Sequence, residues 1–297
     1  MAAWKRANEF VSRGEELPEN DERIAVAGME RYWDFQSHGR GRLNAYRIRE
    51  AFAPVLQKSA IPFDYHLLED VLRTPGYKLP KIVMFSDLST INSEQFKELR
   101  KRYCRDGRIL VYFWKPGIFK ERGVFPGLKS AKAGRGKYIA VKPGVDDPLI
   151  KGLSGRFMDN YPYYGMDFPE VWGIYGKDWK TLGVFEGSSI PALAVRRAEN
   201  YTEIYVSLPG MLTVDFCRNI IKEAGMVPLV DKKDYCGFGG GLFYILAQSD
   251  GVRNITLPAG CRIIECGTGQ RYTGKNGCYQ VTLKNGELFA ALIGKSK

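Results

Sequence analysis

RIAVAGM (Arg23–Met29), YRIREAFAPVLQKSAIPFDYHLLEDVL (Tyr46–Leu72) and YKLPKIVMFSDLSTINSEQFKELRKRYCRDGRILVYFWKPG (Tyr77–Gly117) form the stretch that decides the fold. Ile24–Met29, Lys81–Phe85 and Ile109–Phe113 are short apolar runs with the β-branched content of buried strands. Between them, Leu43–Lys58 repeats Ala45, Ile48, Phe52 and Val55 at helical spacing, and Ser93–Tyr103 does the same. Ser93, with Gln95 and Phe96 behind it, reads as a polar helix start, and Gly107 ends that unit. Ile61–His66 reads as a further strand feeding a short helix at Leu67–Val71. Strand and helix alternating at this rhythm predict a parallel sheet covered on both faces.

Upstream, Trp4–Arg13 places Trp4, Ala7, Phe10 and Val11 on one helical face, and Glu15–Glu22, with Pro18, reads as an acidic linker. The first residues have no apolar core before a small-residue cleavage site, so they do not read as a signal peptide. The chain is expected to stay in the cytoplasm, or to be a part excised from something longer. No apolar run approaches the ~20 residues of a membrane span.

Downstream, residues 118–165 read as irregular, broken by Gly117, Gly123, Gly127, Gly134, Gly136 and Gly144. Tyr161, Tyr163, Tyr164 and Phe168 follow, an aromatic group suited either to stacking on a ligand or to covering the core. Trp172–Tyr175, Lys180–Glu186, Ala192–Arg197 and Thr202–Leu208 are short strand candidates. Leu212–Gly225 is a helix joined to the last of them by Pro209-Gly210, so the parallel sheet resumes there. The end of the chain is strand-rich: Gly241–Gln248, Val252–Leu257, Arg262–Cys266, Tyr279–Leu283 and Leu288–Ile293, with Lys284-Asn285-Gly286 as a hairpin turn. The expected organisation is an N-terminal helix and linker (1–22), an α/β domain (23–250) and a small antiparallel β appendage (251–297).

The net charge of +11 is uneven: residues 101–150 hold 12 Lys and Arg against 4 Asp and Glu. The basic stretch from Lys115 to Lys142 contains no nucleic-acid motif, so a solvated loop is preferred over a nucleic-acid contact. Six cysteines (Cys104, Cys217, Cys236, Cys261, Cys266, Cys278) lack Cys-x-x-Cys pairing, and with only His38 and His66 there is no zinc pattern. Free thiols are expected, with no metal and no cofactor; Gly39 and Gly41 do not complete a dinucleotide fingerprint.

Open α/β sheets take ligands at the carboxyl ends of their strands. Here those ends are followed by Glu30 and Trp33, by Glu69 and Asp70, by Asp87, and by Trp114 and Lys115. Glu30, Trp33, Asp87, Trp114 and Lys115 are the candidate ligand-binding residues: the tryptophans to stack on a sugar ring, the acids to accept its hydroxyl hydrogen bonds. No catalytic set is assigned. The turn after Ile109–Phe113 reads Trp114-Lys115-Pro116-Gly117, without the Ser or Cys of a nucleophile elbow, and Pro116 lacks a backbone donor. Cys104 precedes the strand and cannot occupy the elbow. Glycoside cleavage needs only two carboxylates, so rim acids remain an open alternative.

Ile61–Leu72 (IPFDYHLLEDVL) and Tyr77–Phe119, followed in the same order by AVRRAENYTEIYVSLPGMLTVDFCRNIIKEAGM (Ala194–Met226) and GVRNITLP (Gly251–Pro258), resemble the trimerisation domain of family 42 glycoside hydrolases, β-galactosidases with a TIM barrel. The resemblance spans roughly residues 23–260 as a whole-chain pattern. It implies a flavodoxin-like sheet related in fold to class I glutamine amidotransferases, and a supporting role. In that family the catalytic glutamates belong to the barrel, which this sequence lacks. The amidotransferase relatives use a Cys-His-Glu triad, and Lys115 stands where that Cys would be. No catalytic residue therefore carries over. Trp4–Arg13 is similar to the connection that follows a barrel. The expected role is non-catalytic assembly or carbohydrate association, as a homo-oligomer or beside a TIM-barrel hydrolase. The alternatives are a stand-alone glycoside hydrolase and a basic nucleic-acid-associated protein.

Overall fold

The computed structural model describes residues 22–28, 51–86, 88, 91–113, 116–117, 124–131, 138–159, 171–208, 212–258, 260–272, 274–275 and 277–295. By internal contacts it divides into an α/β unit (Ile24–Ala53 and Phe63–Ala224) and a C-terminal unit formed chiefly by Pro54–Pro62 and Gly225–Lys297.

The parallel half of the α/β unit follows the alternation read from the sequence. In chain order it contains β1 (Ile24–Gly28), the start of a helix α1 (51–58, of which 54–58 belong to the C-terminal unit), β2 (Phe63–Leu67), α2 (Leu68–Arg73), β3 (Ile82–Phe85), α3 (Ser93–Tyr103) and β4 (Arg108–Phe113). Every residue of β1 and β3 is buried, which explains why they read as unbroken apolar runs. One face of the sheet, through Ala25, Ala27, Val83, Phe85, Leu110 and Tyr112, packs on Leu68 and Val71 of α2 and Phe96, Leu99 and Tyr103 of α3. On the other, Phe113 meets Phe52 of α1 at 4.8 Å between ring centroids. The cap of α3 lies one residue before the predicted Ser93. The Asn92 Oδ1 accepts from the Gln95 N–H at 2.8 Å while the Asn92 N–H donates to the Gln95 Oε1 at 3.1 Å, a reciprocal capping box.

Beyond β4 the chain adds β5 (Leu128–Ala131), β6 (Tyr138–Val141), a 3₁₀ turn (Pro148–Ile150), β7 (Arg156–Asp159), β8 (Val171–Ile174), β9 (Lys180–Phe185), β10 (Pro191–Arg197), β11 (Tyr201–Val206) and α4 (Val214–Glu223). The main sheet runs β2-β1-β3-β4-β11-β10-β9-β6-β7. Its first five strands are parallel, and β11 joins β4 with Tyr201 opposite Arg108. With β11 as fifth strand, this is the flavodoxin-like order 2-1-3-4-5. Four antiparallel strands then extend it. The irregular reading of 118–165 is corrected here: β5, β6 and β7 lie inside that stretch. Each is only four residues long, too short to show a period between the glycine-rich segments.

The C-terminal unit contains β12 (Tyr235–Gly239), β13 (Leu242–Leu246), β14 (Gly251–Thr256), β15 (Cys261–Glu265), β16 (Arg271–Tyr272), β17 (Cys278–Leu283) and β18 (Leu288–Lys295). A sheet ordered β12-β13-β18-β15-β16 and a β14-β17 ribbon enclose a core of Phe243, Ile245, Ile263, Phe289 and Ile293 with Ile255, Tyr279 and Val281. Residues 235–246, placed from sequence in the α/β domain, pair in this sheet. The Lys284–Gly286 turn is present, but it is not a hairpin. β17 pairs with β14, whereas β18 pairs with β13 and β15, so the turn carries the chain from one sheet to the other. Gly286 makes this step with φ +80° and donates its N–H to the Ala247 carbonyl at 2.8 Å.

Candidate functional site

The order 2-1-3-4-5 reverses direction at β1, so the switch point lies between the carboxyl ends of β1 and β3, where open α/β sheets bind ligands. Gly28 ends β1, and buried Ser86 follows β3. The Ser86 N–H donates to the Ala27 carbonyl at 2.9 Å. A Cβ on residue 28 would stand 2.5 Å from the Ser86 Oγ, so any larger residue there would have to turn that hydroxyl away. The pair fixes the points from which the two neighbouring loops leave the sheet. In sequence those loops carry Glu30 and Trp33 after β1 and Asp87 directly after Ser86. Glu30, Trp33, Asp87, Trp114 and Lys115 all lie outside the described residues.

The turn after β4 is described at Pro116 and Gly117, both buried. Gly117 has φ +78°, and its N–H donates to the Leu88 carbonyl at 2.9 Å. That bond ties the turn after β4 to the segment after β3. It also occupies the Gly117 N–H, and Pro116 has none, so neither residue can supply an oxyanion donor. At the next carboxyl end, the Ser207 hydroxyl and the Tyr205 hydroxyl both donate to the Trp172 carbonyl.

The nucleophiles and bases considered from sequence have other roles. His66 Nδ1 is 2.8 Å from the Tyr77 hydroxyl. His38 and the aromatic group Tyr161–Phe168 fall outside the described residues. Glu69 pairs with Arg73 across one turn of α2 at 3.4 Å, and Glu186 pairs with Arg156. All six thiols are free. Of the basic stretch, Lys129 is described with its ammonium over the Tyr175 ring, 5.6 Å from its centroid.

Sequence reading missed Glu203, whose side chain is fully buried in β11. Its Oε1 accepts from Arg100 Nε at 3.0 Å and from the Tyr112 hydroxyl at 3.1 Å, with the Cys104 thiol at 3.6 Å. Its Oε2 accepts from Arg196 Nε at 2.8 Å and from a second Arg196 nitrogen. Burial, and then the Glu203 charge, push the Cys104 thiol up to about 11 and raise the Tyr112 phenol. A carboxylate saturated with donors cannot also accept a proton from a substrate, and a thiol so raised is a poor nucleophile. The cluster fastens α3 to the sheet. Its one sequence signal is the pair Arg196-Arg197 four residues before Tyr201, across a tight turn from Glu203.

No family model matches the chain, and no curated protein matches it. The similarity found is to solved structures. A β-galactosidase from Bacillus circulans sp. alkalophilus superposes with a TM-score of 0.58 at 14% identity, over 92% of this chain and 41% of that one. Gan42B, a GH42 β-galactosidase from G. stearothermophilus, gives 0.56 at 13% over 92% and 40%. The β-galactosidase of the Antarctic haloarchaeon Halorubrum lacusprofundi gives 0.54 at 11% over 95% and 41%. This chain therefore has a fold found in GH42 β-galactosidases, and it spans about two fifths of the length of the chains it matches.

Proposed function

We propose that this chain is a non-catalytic assembly domain of the β-galactosidase trimerisation type, working as a homo-oligomer or beside a TIM-barrel glycoside hydrolase. The observation that carries the reading is the post-β4 turn: a flavodoxin-order sheet whose elbow has no Ser or Cys, with Pro116 lacking an N–H and the Gly117 N–H bound to Leu88. The fold match to about two fifths of β-galactosidase chains supports the same role. Sedimentation velocity over a wide concentration range tests it. Assembly, with itself or with an added GH42 barrel, is expected. A strict monomer indifferent to that barrel overturns the proposal.

A second reading is favoured by the Gly28–Ser86 switch point. There the chain would take a carbohydrate through Glu30, Trp33, Asp87, Trp114 and Lys115, and hydrolyse it if two of the acids meet. Aryl β-galactoside turnover is the measurement. Loss of turnover in Glu30→Gln and Asp87→Asn supports it, and no turnover by the parent chain removes the hydrolase half.

A further inference from the structure

Residues 73–81 and 97–108 hold nine Lys and Arg against Glu98 and Asp106. The fold gathers them at the amino ends of β3 and β4. Lys81 directly precedes β3, and Arg108 opens β4. The two strands are parallel neighbours, and the Ile109 N–H donates to the Lys81 carbonyl at 2.8 Å. The last turn of α3 ends at the same place. Its Tyr103 hydroxyl is 3.1 Å from the Val71 carbonyl and 3.3 Å from the Tyr77 carbonyl, which brings Lys78 alongside. The arginines here are committed. Arg102 bonds Glu98 and the carbonyls of Val71 and Thr74, and so serves the carbonyl end of α2. Arg105 and Arg108 share Asp106, Arg73 pairs with Glu69, and Arg100 belongs to the Glu203 cluster. The lysines are not committed. Lys78, Lys81, Lys97 and Lys101 are exposed, and among the described residues none of them makes an ion pair. Asp70 in α2 and Glu94 in the first turn of α3 do not pair with them.

We infer that this lysine edge is where the acidic stretch Glu15–Asp21 of a second copy of the chain docks. The inference rests on the assembly reading above and names its contact. The occupant follows from charge complementarity. Four exposed, unpaired ammonium groups at one edge attract an anion. The chain itself carries a matching one: Glu15, Glu16, Glu19 and Asp21 lie between Arg13 and Arg23 with no Lys or Arg among them. Within a single chain the four lysines have no acid as ion partner, so the acids that meet them belong to another copy. A nucleic acid would take the lysines and leave the acidic stretch without a counterpart. The contact also sets opposite charges together in copies whose net charge of +11 otherwise holds them apart. The lysine edge and the acidic stretch are different surfaces, so the contact is head-to-tail, the kind that closes into rings.

Sedimentation velocity of the full chain at low and high salt tests the contact, with two charge reversals. One variant carries Lys78→Glu, Lys81→Glu and Lys101→Glu, and the other carries Glu15→Lys, Glu16→Lys and Glu19→Lys. Each alone is expected to weaken self-association by about tenfold. An equimolar mixture of the two is expected to regain it, because each variant then offers the charge that the other lacks. Association of the parent is expected to weaken as salt rises. Far-ultraviolet circular dichroism serves as the folding control. If the glutamate variant unfolds, Lys78→Gln, Lys81→Gln and Lys101→Gln together decide the matter, with a smaller loss in the same direction expected. Folded reversals that associate like the parent overturn the contact while leaving the assembly role standing, and so does a mixture that regains nothing. Loss in the lysine variant with the acidic variant unchanged overturns the second copy as occupant; a DNA oligonucleotide bound by the parent and not by the lysine variant then puts a nucleic acid in its place. A monomeric parent overturns the contact, and if it also ignores the barrel, the assembly role falls with it. Association that strengthens with salt likewise overturns the contact.

Discussion

Glu203 in the α/β unit and Asp234 in the C-terminal unit are both buried carboxylates, yet they are held differently. Glu203 is shared by two arginines whose side chains stay 28% and 20% exposed. Asp234 is held by an arginine that is sealed: Arg253 is 0% exposed and reaches the carboxylate at 2.7 and 3.1 Å. The remaining Arg253 donors go to the carbonyls of Gly251, Ser249 and Leu283. The first arrangement fastens a helix to a sheet. The second stitches the turns beside β14 and β17 into one piece. Every oxygen of the two carboxylates accepts at least one hydrogen bond, so these two buried charges hold elements of the framework together.

The contrast predicts unequal costs. Arg253→Met takes the buried arginine from Asp234 and removes the donor to three carbonyls. It is expected to cost about 3–5 kcal/mol by denaturant unfolding, with much of the loss recovered when Asp234→Leu is added. Glu203→Gln strands charges that can turn toward water, so it is expected to cost less, about 1–3 kcal/mol. A Glu203→Gln loss as large as that of Arg253→Met would break the distinction. The smallest effect is kinetic. In the parent, iodoacetamide is expected to label exposed Cys278 well before Cys104, whose thiol is held near 11 by burial and by Glu203. In Glu203→Gln the Cys104 rate is expected to rise, because the charge opposing the thiolate has gone. An unchanged rate would mean that burial alone holds the thiol.

The parallel core was legible because its strands are buried on both faces and its helices repeat at a helical period. Ile82–Phe85 and Phe96, Leu99 and Tyr103 are examples. The short antiparallel strands β5–β7 were not legible, since four residues among glycines give no period. The sequence predicts the turn at Lys284–Gly286 but not which strands it separates, because turn chemistry is local while the choice of partner strand is not. At the carboxyl edge, sequence pointed to the loops, and the structure adds the Gly28–Ser86 contact and the occupied Gly117 N–H.

Composition and periodicity alone determined that this chain builds a layered parallel sheet, and the residues after its fourth strand, Trp114-Lys115-Pro116-Gly117, include no Ser or Cys. The sheet follows from interactions within a few residues: hydrophobic period, caps and turn residues. The resumption of the parallel sheet at β11 is legible from its link to the following helix, but tertiary structure alone decided that β11 pairs with β4, that Glu203 meets Arg100 and Arg196, and that residues 235–246 join the C-terminal sheet. Those outcomes depend on which distant surfaces bury each other, a competition that no local pattern records.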